Sequence, residues 1–330
     1  MVAANSKVGR GSCRKSEIEM TSSHHGLWAI TSYFNPMGYC RRLRNYRLFR
    51  ERLTVPLLTV ELSYGDTFEL GPHEAELLIQ LRGQDVMWQK ERLLNLALDT
   101  LPDGCTSVAW LDCDLLFGRA DWPSAAEQLL TQFDLIQLFR RGHYLNRDWA
   151  PGQAMEPFME RRRWSLAAGV ADGQSPVDCM LHPSPEQRMG SGLAWAARRE
   201  LLQSQRFYDA RILGGGDRAF VCAVYGCYDF MISHHVLNGP QAEHYLAWAR
   251  RLRDTTQGRV SFVDQTIYHL WHGDLENRGL RSRQAILRDY EFDPAADIAV
   301  ADNGAWRWNS CKPEFHERVR TYFAARKEDG

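Results

Sequence analysis

Across residues 27–140 the chain alternates short apolar runs with helical patterns, and this alternation limits its fold more than any other feature. Leu27–Phe34 (LWAITSYF) carries no charge and is stopped by the turn signal Asn35-Pro36, as a buried strand would be. Arg41–Arg52 follows with Leu43, Tyr46, Leu48 and Phe49 recurring at helical spacing. Val55–Leu62 is a second apolar run ending at Glu61-Leu62, and Leu77–Leu81 reads as a short third strand. Trp88–Leu98 is helical in pattern, and Thr106–Leu111 is a strand that runs directly into Asp112. Asp121–Gln132 opens with Ser124 and Glu127 at capping-box spacing, which predicts a helix, and Leu135–Phe139 is the next strand. Strand and helix in alternation predict an α/β fold with a mostly parallel sheet and helices on both faces, in the Rossmann-like manner. Ligands of such sheets collect at the carboxyl ends of the strands. The loop after Phe34, Glu61 and the run Asp112–Asp114 are therefore expected on one edge.

Composition narrows the partners. Forty basic residues stand against 41 acidic ones, so no overall field draws the chain to nucleic acid or to an anionic membrane. No apolar run approaches the roughly 20 residues that cross a bilayer. Residues 1–26 are basic and rich in Ser and Gly, without the apolar stretch of a secretory signal, and are expected to be a disordered extension. The eight cysteines show no CxxC pair or zinc-finger spacing, which predicts reduced thiols and a cytoplasmic protein. The oligomeric state is not legible.

Beyond residue 140 the signals weaken. Tyr144–Met189 dissolves into Pro, Gly and charge, including Arg161-Arg-Arg163, and reads as irregular connecting structure with a solvated charge run, a phosphate or acidic-glycan contact of those arginines being the alternative. Leu193–Gln203 reads as a helix, Gly214-Gly-Gly216-Asp217 as a tight turn, Arg218–Tyr225 as a helix and Val260–His269 as a strand. Phe315–Arg326 is a basic helix, and Trp306-Arg-Trp308 is an aromatic patch expected to pack it down.

Asp112 and Asp114 carry the first chemical signal. Two carboxylates one residue apart at a strand end can converge on one hard cation, Mn²⁺ or Mg²⁺, whose other ligands come from substrate phosphates. Two solvated aspartates at a loop start would give the same spelling. A haloacid-dehalogenase phosphatase also places such a pair after a strand, but Leu115-Leu116 follows here where that chemistry wants Thr or Val near the start of the chain.

Several segments together resemble the β-1,4-galactosyltransferase group of GT-A glycosyltransferases. Trp88-Gln-Lys90-Glu-Arg-Leu-Leu-Asn95 resembles its aromatic-x-basic-x-x-Leu-Leu-Asn helix, followed at similar spacing by the strand and the Asp pair. Gly190-Ser-Gly192 with its following residues, Phe207-Tyr-Asp209 and Gly214–Asp217 resemble that group's glycine loop and glycine-rich acidic motif. His269-Leu-Trp-His272 resembles its Met-x-x-His segment. Taken whole, the chain looks like an uncharacterised bacterial and phage glycosyltransferase-like family with the same signatures. The resemblance spans 27–280 in patches. It implies a donor half over 27–140, an acceptor half over 141–280 and a helical tail over 281–330 packed on the core.

What the resemblance implies for the site is specific. Trp88 would stack on uracil and Lys90 reach the diphosphate, with Asn95 in the same helix. Asp112 and Asp114 would hold the metal with His269 and His272, Asp114 in direct contact and Asp112 reaching ribose or a metal-bound water. Asp217 would be the base of an inverting transfer, and Gly215, Gly216, Asp217 and Trp271 would meet the acceptor. Apart from the resemblance, their place at the strand ends would have Tyr33, Phe34 and Asn35 line the first loop of the nucleotide site and Glu61 accept hydrogen bonds from ribose or uracil.

The residues read alone leave alternatives. Asp217 is equally a helix cap, Trp88 a core residue, and two histidines three apart on a regular strand point to opposite faces. Both reach one ion only if the chain turns between them, which Gly273 permits. His234-His235 reads as structural. The expected function is metal-dependent transfer of a sugar from a nucleotide sugar, UDP-linked by resemblance, to a glycan, lipid or protein acceptor. A non-catalytic nucleotide-sugar or carbohydrate-binding protein is one alternative. A nucleotidyltransferase is another, although Asn35-Pro-Met-Gly38 is not the glycine-rich basic loop it would need.

Overall fold

Burial on both faces selects the strands at the centre of the molecule. A computed structural model describes residues 26–330 apart from 183, 185, 186, 280 and 281, so the expected N-terminal extension lies outside the described residues but for Gly26. In chain order the elements are β1 (Leu27–Phe34), α1 (Cys40–Arg52), β2 (Leu57–Ser63), β3 (Leu77–Arg82), α2 (Lys90–Thr100), β4 (Ser107–Leu111), β5 (Leu115–Phe117), α3 (Trp122–Leu130), β6 (Leu135–Gln137), β7 (Arg141–Leu145), β8 (Met159–Trp164), α4 (Leu166–Ala171) and α5 (Pro176–Leu181). They continue with β9 (Ala194–Arg198), α6 (Arg199–Gln205), α7 (Gly216–Tyr225), α8 (Tyr228–His234), α9 (Gly239–Thr256), β10 (Val260–Phe262), β11 (Thr266–His269), α10 (Ser282–Asp289), α11 (Pro294–Asp297), β12 (Ile298–Val300), β13 (Trp306–Trp308) and α12 (Pro313–Ala324).

The main sheet has seven strands in the order β10-β6-β9-β4-β1-β2-β3, and only β9 runs against its neighbours. This is the expected α/β class with a mostly parallel sheet. Alternation along each strand feeds a core on either face: Trp28, Ile30, Val108 and Trp110 join α2, α7 and α9, whereas Leu27, Ala29, Ala109 and Leu111 join α1 and α3. Both faces are covered, so the central strands read as unbroken apolar runs rather than as alternation.

Four expectations change. Leu193–Gln203 is not one helix: Ala194–Arg198 is strand β9, and only Arg199–Gln205 is helical. The alanines favour a helix locally, but they lie fully buried between β4 and β6, where pairing and the Trp110–Trp195 stack at 6.2 Å decide. Residues 144–189 are not irregular either, since they contribute β8, α4 and α5. The capping box at Ser124 does not form, because the helix already starts at Trp122 with Pro123 in its first turn, where a missing N–H costs nothing. The stretch Val260–His269 is two strands in different sheets, β10 in the main one and β11 in a second.

That second sheet has the order β5-β11-β7-β8. Because β5 starts just after Asp114 and pairs antiparallel with β11, the end of β11 lies beside the start of β5, with His269 opposite Leu115. The C-terminal region folds back over this corner. Helix α12 buries Phe315, Val319, Tyr322 and Phe323, and the Asp329 carboxylate then accepts from the free backbone N–H groups of Cys40 and Arg41 at the start of α1.

Candidate active site

Sheet edge, glycine loop and C-terminal segment enclose one cavity of about 440 Å³ at the carboxyl end of β4. The loop Gly190–Leu193 arrives there because β9 enters the sheet from this edge: Leu111 pairs with Ala194, and the Asp112 N–H donates to the Leu193 carbonyl at 2.9 Å. Asp112 and Asp114 then diverge.

Asp114 turns toward β11. Its Oδ2 lies 3.0 Å from His272 Nε2 and its Oδ1 3.6 Å from His269 Nε2. One ligating atom from each of the three residues fits within 4.8 Å of the others. The two histidines share a side because the chain leaves β11 after His269: Leu270 N–H donates to the Asp114 carbonyl at 2.8 Å, and Gly273 takes a φ of +85°. Burial pushes the His269 imidazole down to about 3, against the opposing pull of Asp114, so it is neutral at pH 7 as a ligand must be. Asp114 is held below the usual carboxylate range; burial opposes this, and His269, His272 and Arg278 outweigh it. Asp114 Oδ1 is buried without a hydrogen-bond partner, an orphan acceptor that a divalent cation would satisfy. Two imidazoles and a carboxylate suit a first-row divalent ion.

Asp112, expected at the metal as well, faces the other way and is outside this trio. Its Oδ1 is 2.6 Å from Lys90 Nζ, which also donates to Asp217 Oδ1 at 3.0 Å. Burial works against the Lys90 ammonium, but Asp112, Asp217 and Glu91 raise its pKa well above the ordinary value. Burial also lifts Asp112 to about 6 and Glu91 to about 8, in both cases against the pull of Lys90. Lys90 begins α2, whose Asn95 clamps the returning chain by donating to the Phe207 carbonyl at 3.0 Å and accepting from its N–H at 2.8 Å. This clamp carries Asp217 back to Lys90. Asp217 does not cap α7: the N-cap is Gly215, at φ +97°, and the carboxylate looks across at Gly192, where an added Cβ would stand 2.5 Å from Asp217 Oδ2.

Lys90, Asp112, Asp114, Asp217, His269 and His272 all line the cavity, with Phe34, Trp88 and Gly215. Gly216 lies beside it, packed so closely on Glu91 that a Cβ would stand 2.1 Å from that carboxyl group. Trp88 meets Phe34 edge-on at 5.4 Å, stacks on Phe323 at 6.5 Å and lies under the Arg326 guanidinium. Five of the expected site residues are not brought to the cavity. Glu61 is 1 % exposed and accepts from the N–H groups of Glu69 and Leu70 and from Gln80, which pins a loop. Tyr33 and Asn35 both donate to Glu69. Asn95 is the clamp already described. Trp271 lies outside, between Arg41 and Arg147, with its indole N–H on Asp274.

The cavity has further lining residues. Arg161 and Arg163 belong to the wall rather than to a solvated run, and His234 and His235 line it too. The register of the β7–β8 hairpin explains the arginines, which face inward with Tyr144 and Gly142 while Arg162 points out. Arg278 donates toward His272 Nε2 at 3.0 Å. Glu328, not singled out in the sequence, is 1 % exposed and meets Arg42 and Arg326 at 2.5 Å each. Its Oε2 stands 3.8 Å from His272 Nδ1, the side of the ring away from Asp114.

No protein-family model matches the chain, and no curated protein matches it. Among solved structures it is similar to S. aureus TarS 1-349 in complex with UDP-GlcNAc, at 14% identity and a TM-score of 0.40, over 76% of this chain and 59% of that one. It is also similar to the mannosyltransferase PcManGT from Pyrobaculum calidifontis in complex with GDP-Man and Mn²⁺, at 14% identity and TM-score 0.41, over 91% and 73% of the two chains. A third is glucosyl-3-phosphoglycerate synthase from Mycobacterium tuberculosis in complex with phosphoglyceric acid, at 15% identity and TM-score 0.40, over 86% of each.

Proposed function

We propose that the chain is a metal-dependent glycosyltransferase of the GT-A type that takes a nucleotide sugar, UDP-linked, as donor and inverts the transferred centre. The observation that carries this reading is the convergence of Asp114, His269 and His272 on one point at the carboxyl edge of β4, facing a Lys90-linked pair of carboxylates across one cavity. The motif correspondences with the β-1,4-galactosyltransferase group point the same way. Bound between Asp114 and the two imidazoles, Mn²⁺ would supply charge neutralisation for a diphosphate leaving group; the nitrogen-rich donor set favours it over Mg²⁺.

The chain's own residues do the rest. Arg278 stands beside His272, and Arg42 and Arg326 are held by Glu328, so a positive field already surrounds the place of the leaving group. Phe34 and Trp88 form the aromatic edge against which a base can lie. Asp217 takes the proton of the acceptor hydroxyl as its oxygen bonds to the anomeric carbon; the bond from that carbon to the diphosphate breaks, and the electron pair leaves on the phosphate oxygen. Lys90 anchors Asp217 and Asp112 in the positions this requires. Asp112 is then free to meet ribose rather than the metal.

The test is a screen of nucleotide sugars for Mn²⁺-dependent donor hydrolysis, repeated with Asp114→Ala. The substitution is expected to lower turnover by at least about a hundredfold, the order of magnitude of losing one electrostatic contact to a developing charge. Hydrolysis that survives it contradicts the metal assignment.

A further inference from the structure

Beyond the metal trio, the same cavity has further charged lining. Arg163 reaches it from β8, Arg188 from the segment before the glycine loop, and Arg218 from the first turn of α7. Two of the three are tied in place: Arg188 Nε donates to the His182 carbonyl at 2.8 Å, and Arg163 Nη1 donates to the Arg188 carbonyl at 2.9 Å. Arg218 Nη1 is buried with no hydrogen-bond partner. Burial lowers the pKa of Arg163 and of Arg218; Tyr144 and Cys222 oppose this, while Arg161 and Arg188 add to it at Arg163, Arg163 and Arg188 add to it at Arg218, and no carboxylate acts on either.

Like charges gathered in a partly buried wall without a counter-ion repel one another, and an oxyanion that accepts several guanidinium hydrogen bonds would relieve this. The donor diphosphate belongs elsewhere, beside the metal trio, where Asp114, Glu328 and Arg326 are the charges that act on Arg278. We propose that Arg163, Arg188 and Arg218 form a subsite for an anionic group, phosphate or carboxylate, carried by the acceptor. The word acceptor rests on the glycosyltransferase reading; the anion site itself does not. Arg218 adjoins Asp217 in sequence, so an acceptor held by its charge would present a hydroxyl to that carboxylate.

The subsite is tested by isothermal titration of the full chain with glucose 6-phosphate, glucuronate and glucose, each with and without saturating UDP and Mn²⁺. Glucose 6-phosphate or glucuronate should bind at least about tenfold more tightly than glucose, and UDP should not displace it; whichever binds better names the anion. Arg163→Gln and Arg218→Gln should each weaken that binding roughly tenfold at unchanged UDP affinity, whereas Arg162→Gln, on the outward face, should not. Melting temperatures verify that the variants are folded, and either arginine variant suffices if the other does not fold. Equal binding of all three sugars, displacement by UDP, or indifference to both folded variants overturns the subsite. Arginine-dependent anion binding without any UDP binding leaves the subsite standing and removes the transferase reading.

Discussion

Around Asp114, His269 and His272 most cations are paired: Arg42 and Arg326 share Glu328 at 2.5 Å, Lys90 bridges Asp112 and Asp217, and Arg278 leans on His272. In the same cavity no carboxylate acts on Arg163 or Arg218: Arg161 and Arg188 act on the first, Arg163 and Arg188 on the second, and Arg218 lies over the Phe230 ring at 5.9 Å. The difference separates two uses of charge. A network of paired charges costs flexibility and fixes geometry, which is what convergence of Asp114, His269 and His272 demands. A cluster left positive does not fix its own geometry and is completed by what binds there.

The comparison breaks most visibly at Asp217, which stands between the two ends. Asp217→Asn is expected to reduce sugar transfer by roughly 10²–10⁴-fold, the range for a general base, while UDP titration stays as in the wild type. Undiminished transfer would take the base away from this residue. The next effect belongs to the metal end alone. Glu328→Gln keeps the shape but removes the carboxylate charge 3.8 Å behind His272 Nδ1, and should weaken Mn²⁺ binding by about tenfold, the lower end of what groups behind a metal ligand contribute. Glucose 6-phosphate binding at the arginine wall should not change; an equal loss at both ends would mean that the substitution damages the fold rather than the ligand.

The smallest effect is one of stability. The folded chain keeps a proton on Glu91 up to about pH 8, whereas an exposed glutamate releases it near 4.5. Between those values the folded state binds more protons than the unfolded one, so this group's contribution to stability falls as pH rises through the window. Glu91→Gln removes that slope. Thermal melts should show the variant gaining on the wild type from pH 5 to pH 8, by a few degrees at the upper end, since about 1 kcal/mol moves the midpoint by roughly 2–4 °C in a large domain. Parallel curves would place no titrating proton there.

Much of the metal end could be read from the residues in order. Asp112-Cys-Asp114 follows a run that is apolar because it is buried on both faces, and Gly273 announced the turn that brings His269 and His272 together. What escaped reading depends on distant pairing. Ala194–Ala197 favours a helix until β4 and β6 flank it. Glu61 sits at a strand end like a ligand, yet the backbone of residues 69 and 70 claims its oxygens. Glu328 lies in the tail expected to pack on the core, but nothing in its neighbours marks it, and only the return of the chain past α12 to α1 buries it. Arg161 and Arg163 look like a charge run because alternation hides in three identical letters; the pairing of β8 with β7 reveals it. Among the described residues no helix is long and apolar enough to cross a membrane.

The central claim is that Asp114, His269 and His272 hold a divalent cation that completes a nucleotide site. Isothermal titration of UDP into the full chain, with and without Mn²⁺, for the wild type and His272→Ala, tests it most directly. The wild type should bind UDP at least about tenfold more tightly with Mn²⁺ than without, a difference of about 1.4 kcal/mol, and His272→Ala should erase most of that difference. UDP binding that ignores Mn²⁺, or no UDP binding under either condition, would contradict the claim.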